Sequence, residues 1–107
     1  MKVYFVYILK CSDHSYYTGI TSDIDKRIKE HESGKHTDSY TFSRRPLELV
    51  YFEQSSNPIT AISREKQIKG WTRKKKEALI AENYDLLKEL SACLNLTSYK
   101  NYNKADN

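Results

Sequence analysis

Two tyrosines, Tyr7 and Tyr17, stand ten residues apart, and Arg27 follows the second by another ten. His31 comes four residues after Arg27, so on a helix the two share a face. Glu65 stands far downstream, among Ala61, Ile62 and Ile68. A guanidinium can fork onto a phosphate, with an imidazole beside it to move a proton. A phenol is a poor base unaided: with a pKa near 10, only about 0.1% is phenolate at neutral pH. It needs a nearby cation to favour the anion, or a second base that takes its proton. A carboxylate on an apolar helix face must be paired, protonated or bound to a metal. Each residue also has a plain reading. Strand tyrosines pack, an Arg or His on a surface helix meets solvent, and Glu65 pairs with a neighbouring base such as Arg27.

The elements that must position these groups follow from periodicity and punctuation. Lys2–Lys10 is apolar and β-branched or aromatic almost throughout, which predicts a central strand buried on both faces. Ser12-Asp13-His14-Ser15 is turn material, and Tyr16–Ile20 is the returning strand of a hairpin. Gly19 inside that strand points to a bulge, or to close approach by a ligand or another backbone. Tyr4, Tyr16, Tyr51 and Tyr84 read as packing residues. Thr21 or Ser22 caps a first helix, with Ser22-x-x-Asp25 as a capping box, Ile24 and Ile28 facing inward and Gly34 as the stop. Lys35–Arg45 is a polar loop, and Pro46 opens a third strand, Leu47–Glu53. Asn57-Pro58 starts a second helix that Gly70 ends. On it Ala61, Ile62 and Ile68 define an inward arc that contains Glu65. Thr72 caps a third helix from Arg73 to about Glu82, and Leu86, Leu87 and Leu90 predict one more short helix before a tail that frays. The order β-β-α-β-α-α gives an α+β fold, a three-stranded antiparallel sheet flanked by helices. Residues 1–82 form the domain, and 83–107 a C-terminal helix and tail.

At 107 residues, with 38% hydrophobic and 30% charged, the chain reads as one soluble globular domain with a modest core. Tyrosine is the outlier, with nine copies against three Phe and one Trp, and it suits half-buried strand faces. Cys11 and Cys93 are too few for a disulfide framework. The apolar run Val3–Leu9 is too short for a signal peptide or a membrane span, so the expectation is a cytoplasmic protein with reduced thiols. Formal net charge is +4, but the stretch Arg64–Lys76 holds seven Lys or Arg and one Glu, a local +6. Such a block is a solvated face or the footprint of a polyanion partner. No Cys/His zinc spacing, phosphate-binding Gly-rich loop or nucleophile elbow is present.

Taken together, Val6-Tyr7-Ile8, Tyr17-Thr18-Gly19, Arg27, His31 and Glu65 within Arg64-Glu65-Lys66-Gln67-Ile68-Lys69-Gly70-Trp71 resemble the motifs of the GIY-YIG nuclease superfamily. More closely, they resemble its small single-domain bacterial members, relatives of the N-terminal incision domain of the excision-repair excinuclease. The likeness spans about Met1 to Glu82. It implies a metal-dependent endonuclease acting on DNA, with RNA as an open second substrate. Glu65 would hold a single divalent ion, Mg²⁺ or Mn²⁺, since hard carboxylate oxygen suits it. Arg27 would bind the scissile phosphate. Tyr7, with Tyr17 beside it, would activate and orient the attacking water. His31 stands near the base, and the metal would stabilise the leaving oxygen. Arg44, Arg45, Lys66, Lys69, Arg73, Lys74, Lys75 and Lys76 would track the phosphate backbone, giving affinity without sequence information. Its own specificity would then be poor or supplied by a protein partner. The chain departs from the family pattern at Val6 and Thr18, and Ile20 stands where some relatives carry a lysine. A late family Asn has only Asn83 as a counterpart, at a different spacing. A competing reading is a nucleic-acid-binding module that keeps the fold with little or no turnover.

Overall fold

In the computed structural model, residues 2–91 are described. The chain divides into two compact units, Met1–Gly70 and Trp71–Asn107. The first holds strand β1 (Tyr4–Lys10), strand β2 (Tyr16–Thr21), helix α1 (Ile24–Ser33), a single 3-10 turn (Phe42–Arg44), strand β3 (Glu48–Ser55) and helix α2 (Pro58–Lys69). The second holds helix α3 (Arg73–Ile80) and a further helical stretch over 84–91.

The three strands form one antiparallel sheet in the order β2-β1-β3. The apolar run of β1 occupies the middle, and Val6, Tyr7, Ile8 and Leu9 are all buried, as a strand covered on both faces requires. Register puts Tyr7 opposite Gly19 on one side and Phe52 on the other. Ile8 stands opposite Thr18 and Tyr51, and Val6 opposite Ile20 and Glu53. Side chains alternate along a strand. Tyr7 therefore shares a face with Phe5 and Leu9, while Val6 and Ile8 share the other. The Arg64 Nε–Glu53 Oε2 bond of 2.9 Å sets α2 over the second face, where its buried Ala61 and Ile68 meet the sheet. His31, the buried residue of α1, covers the first face at Tyr7.

Local chemistry sets the boundaries. The first helix is capped by Asp23, whose carboxylate accepts from the Lys26 amide, and not by Thr21 or Ser22. Thr21 Oγ1 instead accepts from the Asp23 amide, so the hydroxyl shapes the approach to the cap. Gly34 ends α1 at φ 72°, the left-handed conformation that favours glycine. Asn57 caps α2 through the amides of Ile59 and Thr60, with Pro58 in the first turn. Thr72 caps α3 through the Lys75 amide. The third strand starts one residue later than periodicity predicts and runs two further, to Ser55. The helix α3 stops at Ile80, two residues short of the expected end.

Three expectations about side chains are corrected. Ile62 is 45% exposed and does not belong to the inward face of α2, which is Ala61, Glu65 and Ile68 at helical spacing. Tyr84 is largely exposed and is not a packing residue. Gly19 carries no bulge, since the only register shift of β1 lies against β3, between Ile8 and Leu9. The expected tail and Cys93 lie outside the described residues.

Candidate active site

Strand β1 delivers Tyr7 to the covered face of the sheet, and Gly19 makes room for it. A β-carbon at Gly19 would overlap the Tyr7 ring and hydroxyl, so what approaches closely is a side chain, and not the ligand or backbone expected from the sequence. Tyr7 is fully buried, and its Oη lies 2.9 Å from His31 Nε2. Tyr17, half-buried on β2, sets its ring 6.4 Å from that of Tyr7 and 5.4 Å from the imidazole. Arg27, one turn before His31 on α1, lies close enough to the Tyr7 hydroxyl for its charge to favour the phenolate. Four of the residues singled out from spacing therefore converge: Tyr7, Tyr17, Arg27 and His31.

Electrostatics favour neutral forms here. Burial pushes the Tyr7 pKa up to about 12, and Tyr17 adds to the rise against the pull of Arg27. Burial also holds His31 below its usual value, helped by Arg27 and His36 and opposed by Glu30. The site thus pairs a protonated phenol with a neutral imidazole at neutral pH. Arg27 makes a 3.4 Å ion pair from Nε to Glu30 Oε1. Partial burial raises the Glu30 pKa, but Lys35, Arg27 and Lys26 outweigh it and hold the carboxylate below the ordinary range. Arg27 also lines a small pocket of about 150 Å³ with Thr21, Ser22, Asp23, Lys26 and Glu30.

Glu65 is turned inward on α2, with its side chain 12% exposed, and its Oε2 lies 3.0 Å from Lys69 Nζ. The carboxylate is therefore paired with a lysine one turn along its own helix and not with Arg27. Among the described residues, no group of three or more His, Cys, Asp or Glu side chains is arranged to hold a metal. A lone carboxylate fits an ion that keeps most of its waters. Its lysine partner is 60% exposed, so the pair opens at little cost.

The basic residues fall into two sets. Lys66, Lys69, Arg73 and Lys74 are exposed. Lys76 is half-buried, and the other three are held by contacts within the fold. Lys75 is buried, with its ammonium 4.3 Å from the Trp71 ring. Arg44 stacks on the Tyr40 ring at 3.8 Å, donates from Nη1 to the Tyr40 carbonyl and pairs with Asp13 at 3.1 Å. Arg45 donates to the carbonyls of Phe42 and Glu32. These two arginines pin the loop that follows α1.

That loop holds what sequence reasoning missed. Thr41, 1% exposed, places Oγ1 2.9 Å from His31 Nδ1 and 2.9 Å from Ser39 Oγ. Tyr40 stacks on Tyr17 with ring centroids 6.1 Å apart. The segment Lys35–Arg45 has no apolar periodicity to mark an inward residue, and Thr41 is buried only by what folds over it.

A family model described as the GIY-YIG catalytic domain matches residues 3–78. Among curated relatives, a UPF0213 protein of Haloquadratum walsbyi is 45% identical over 83 residues, covering 78% of this chain and 92% of that protein. One from Syntrophus aciditrophicus is 47% identical, covering 78% and 95%. A solution NMR structure of a UPF0213 protein from Bacillus halodurans superposes with a TM-score of 0.50 at 43% identity, covering 74% of this chain and 83% of that one. Another, of a protein from E. faecalis, gives 0.56 at 30% identity, covering 78% and 88%. With the motif residues on their expected elements and the match running from β1 into α3, this chain belongs to the GIY-YIG family.

Proposed function

We propose that the protein is a metal-dependent endonuclease that hydrolyses DNA phosphodiester bonds. The observation that carries this reading is the junction of Tyr7 with His31 at 2.9 Å, with the Arg27 guanidinium beside the phenol. Arg27 binds the scissile phosphate and leaves Glu30 to do so. Its side chain is 39% exposed, so the exchange needs no refolding. A phosphate there brings anionic oxygens to a fork of donors, a stronger partner than one carboxylate at 3.4 Å.

A standing phenolate is not the route, because a pKa of about 12 leaves it too scarce at neutral pH. The proton moves in sequence instead. The attacking water gives its proton to Tyr7 Oη as the phenol gives its own to His31 Nε2. Tyr17, nearer the surface, orients the water. Glu65, which no described contact joins to Tyr7, Tyr17, Arg27 or His31, would hold a single Mg²⁺ or Mn²⁺, and that ion would supply charge to stabilise the leaving oxygen. Lys66, Lys69, Arg73 and Lys74 contribute affinity for the backbone without reading sequence.

Nicking of supercoiled plasmid with Mg²⁺ or Mn²⁺ tests the reading. Arg27→Ala and Glu65→Ala should each lower the rate at least about 100-fold, on the scale of a lost transition-state contact. Undiminished cleavage in either variant refutes the assignment. The second reading, nucleic-acid binding without turnover, is favoured by one observation, the ion pair of Glu65 with Lys69. It predicts salt-sensitive DNA binding that survives Glu65→Ala, with no nicking by the unmodified protein.

A further inference from the structure

The Tyr7–His31 contact does not end at the imidazole. His31 Nδ1 lies 2.9 Å from Thr41 Oγ1, and Thr41 Oγ1 lies 2.9 Å from Ser39 Oγ. Three contacts of 2.9 Å thus join a phenol, an imidazole and two hydroxyls across β1, α1 and the following loop. Tyr7, His31 and Thr41 are all buried. Such a chain can run in two directions, because each hydroxyl can donate or accept and a neutral imidazole carries one N–H.

The two directions are not equivalent. If His31 carried its proton on Nε2, that N–H would donate to Tyr7 Oη, and the buried phenol O–H would need another acceptor. Among the described residues Tyr7 Oη has no hydrogen-bond partner besides His31, and the Arg27 guanidinium near it has donors only. The phenol proton would then be an unsatisfied buried donor, which is costly. In the opposite direction the three buried side chains are all matched. Tyr7 O–H donates to Nε2, Nδ1–H donates to Thr41 Oγ1, and the Thr41 hydroxyl donates to Ser39 Oγ. Ser39 Oγ also accepts from the Thr41 amide at 3.3 Å, which holds the two residues in one arrangement.

We infer that Thr41, oriented by Ser39, is a positioning residue that fixes His31 in the Nδ1–H tautomer and so aims the Nε2 lone pair at the Tyr7 hydroxyl. The catalytic use of that lone pair depends on the nuclease reading above, whereas the tautomer does not. When Nε2 takes the phenol proton, the imidazolium keeps both of its N–H bonds matched, to Tyr7 Oη and to Thr41 Oγ1. No group in the chain has to turn as the proton moves.

Long-range ¹H–¹⁵N correlation spectra of the ¹⁵N-labelled full chain read the tautomer directly, with or without nuclease activity. The expected result is Nδ1 in the protonated, pyrrole-like range and Nε2 in the unprotonated, pyridine-like range. Thr41→Val, close in shape but lacking the hydroxyl, should move His31 toward Nε2–H, and Thr41→Ser should restore the original pattern. Ser39→Ala is a milder variant should Thr41→Val not fold, and should produce mixed tautomers. In plasmid nicking, Thr41→Val should lower kcat at least tenfold with KM unchanged, with recovery in Thr41→Ser. An Nε2–H tautomer in the unmodified protein overturns the inference, and so does a Thr41→Val spectrum that keeps Nδ1–H. The expected spectra with no cleavage by any variant leave the inference standing and refute the nuclease reading.

Discussion

His31 connects two chemistries at the residue scale, since it accepts from a phenol at one nitrogen and meets a buried hydroxyl at the other. The titration of His31 should therefore appear in the rate. Its pKa is held below the ordinary value of about 6.5, first by burial and then by Arg27 and His36, while Glu30 pulls the other way. The neutral ring is the acceptor, so nicking should be constant around neutrality and fall about tenfold per pH unit once pH drops below the depressed pKa. The check is a kcat profile from pH 5 to 8. A limb centred above 6.5 would mean that another group controls the rate. The same depression affects stability. The unfolded chain takes up a proton at about 6.5 and the folded chain only lower, so stability is full above that value and declines as pH falls through the folded pKa. Tyr7, Tyr17, Arg27 and His31 are legible in the sequence through their likeness to the family motifs, which fall on two strands and a helix with clear periodicity. Thr41 and Ser39 are not, because in an aperiodic loop a threonine that packs inward has the same neighbours as one that faces water. Glu65 is legible as an inward carboxylate, but its partner Lys69 is not, since side-chain pairing is decided in three dimensions.

At the scale of elements, the sheet is organised by what β1 and β2 exchange across their shared register. Tyr7 sits against Gly19 on one face, and Ile8 against Thr18 on the other. Thr18 stands at the middle of the second motif, where the family pattern has an apolar residue. Its hydroxyl is buried and, among the described residues, has no hydrogen-bond partner. An unmatched buried hydroxyl costs about 1–3 kcal/mol. Valine has nearly the same shape and the same strand preference. Thr18→Val should accordingly raise unfolding stability by about 1 kcal/mol in urea, with no change in nicking. A loss of stability would show that the hydroxyl has a partner in solution. Caps are largely readable, as Asn57 and Thr72 start helices through their side chains, and Gly34 and Gly70 end them where the sequence predicts, Gly34 alone in the left-handed conformation. Asp23 is harder to single out, because Thr21, Ser22 and Asp23 are all competent caps and only the approach of the chain selects one.

At the scale of the whole molecule, nine tyrosines make alkaline pH the condition most telling for the fold. Burial raises the Tyr7 pKa to about 12. Tyr51 is raised further, by burial and because it donates its proton to the Glu53 carboxylate. The unfolded chain releases these protons at about 10, the ordinary tyrosine value. Stability is thus unaffected below about pH 10 and declines as pH rises, since the unfolded state ionises where the folded state does not. For fully buried Tyr7 the decline reaches about 3 kcal/mol between pH 10 and 12, at about 1.4 kcal/mol per unit. That is a large share of what a domain of this size has to lose. Urea midpoints followed by tryptophan fluorescence from pH 8 to 11.5 should fall once pH passes about 10. Tyr51→Phe should make the fall shallower by removing one of the two raised groups. A flat profile to the alkaline end would show that Tyr7 ionises in place, which would return the standing phenolate to the mechanism. The stability curve therefore decides a catalytic question: the proton that keeps the sheet folded at high pH is the one that must pass through Tyr7 to His31 at neutral pH.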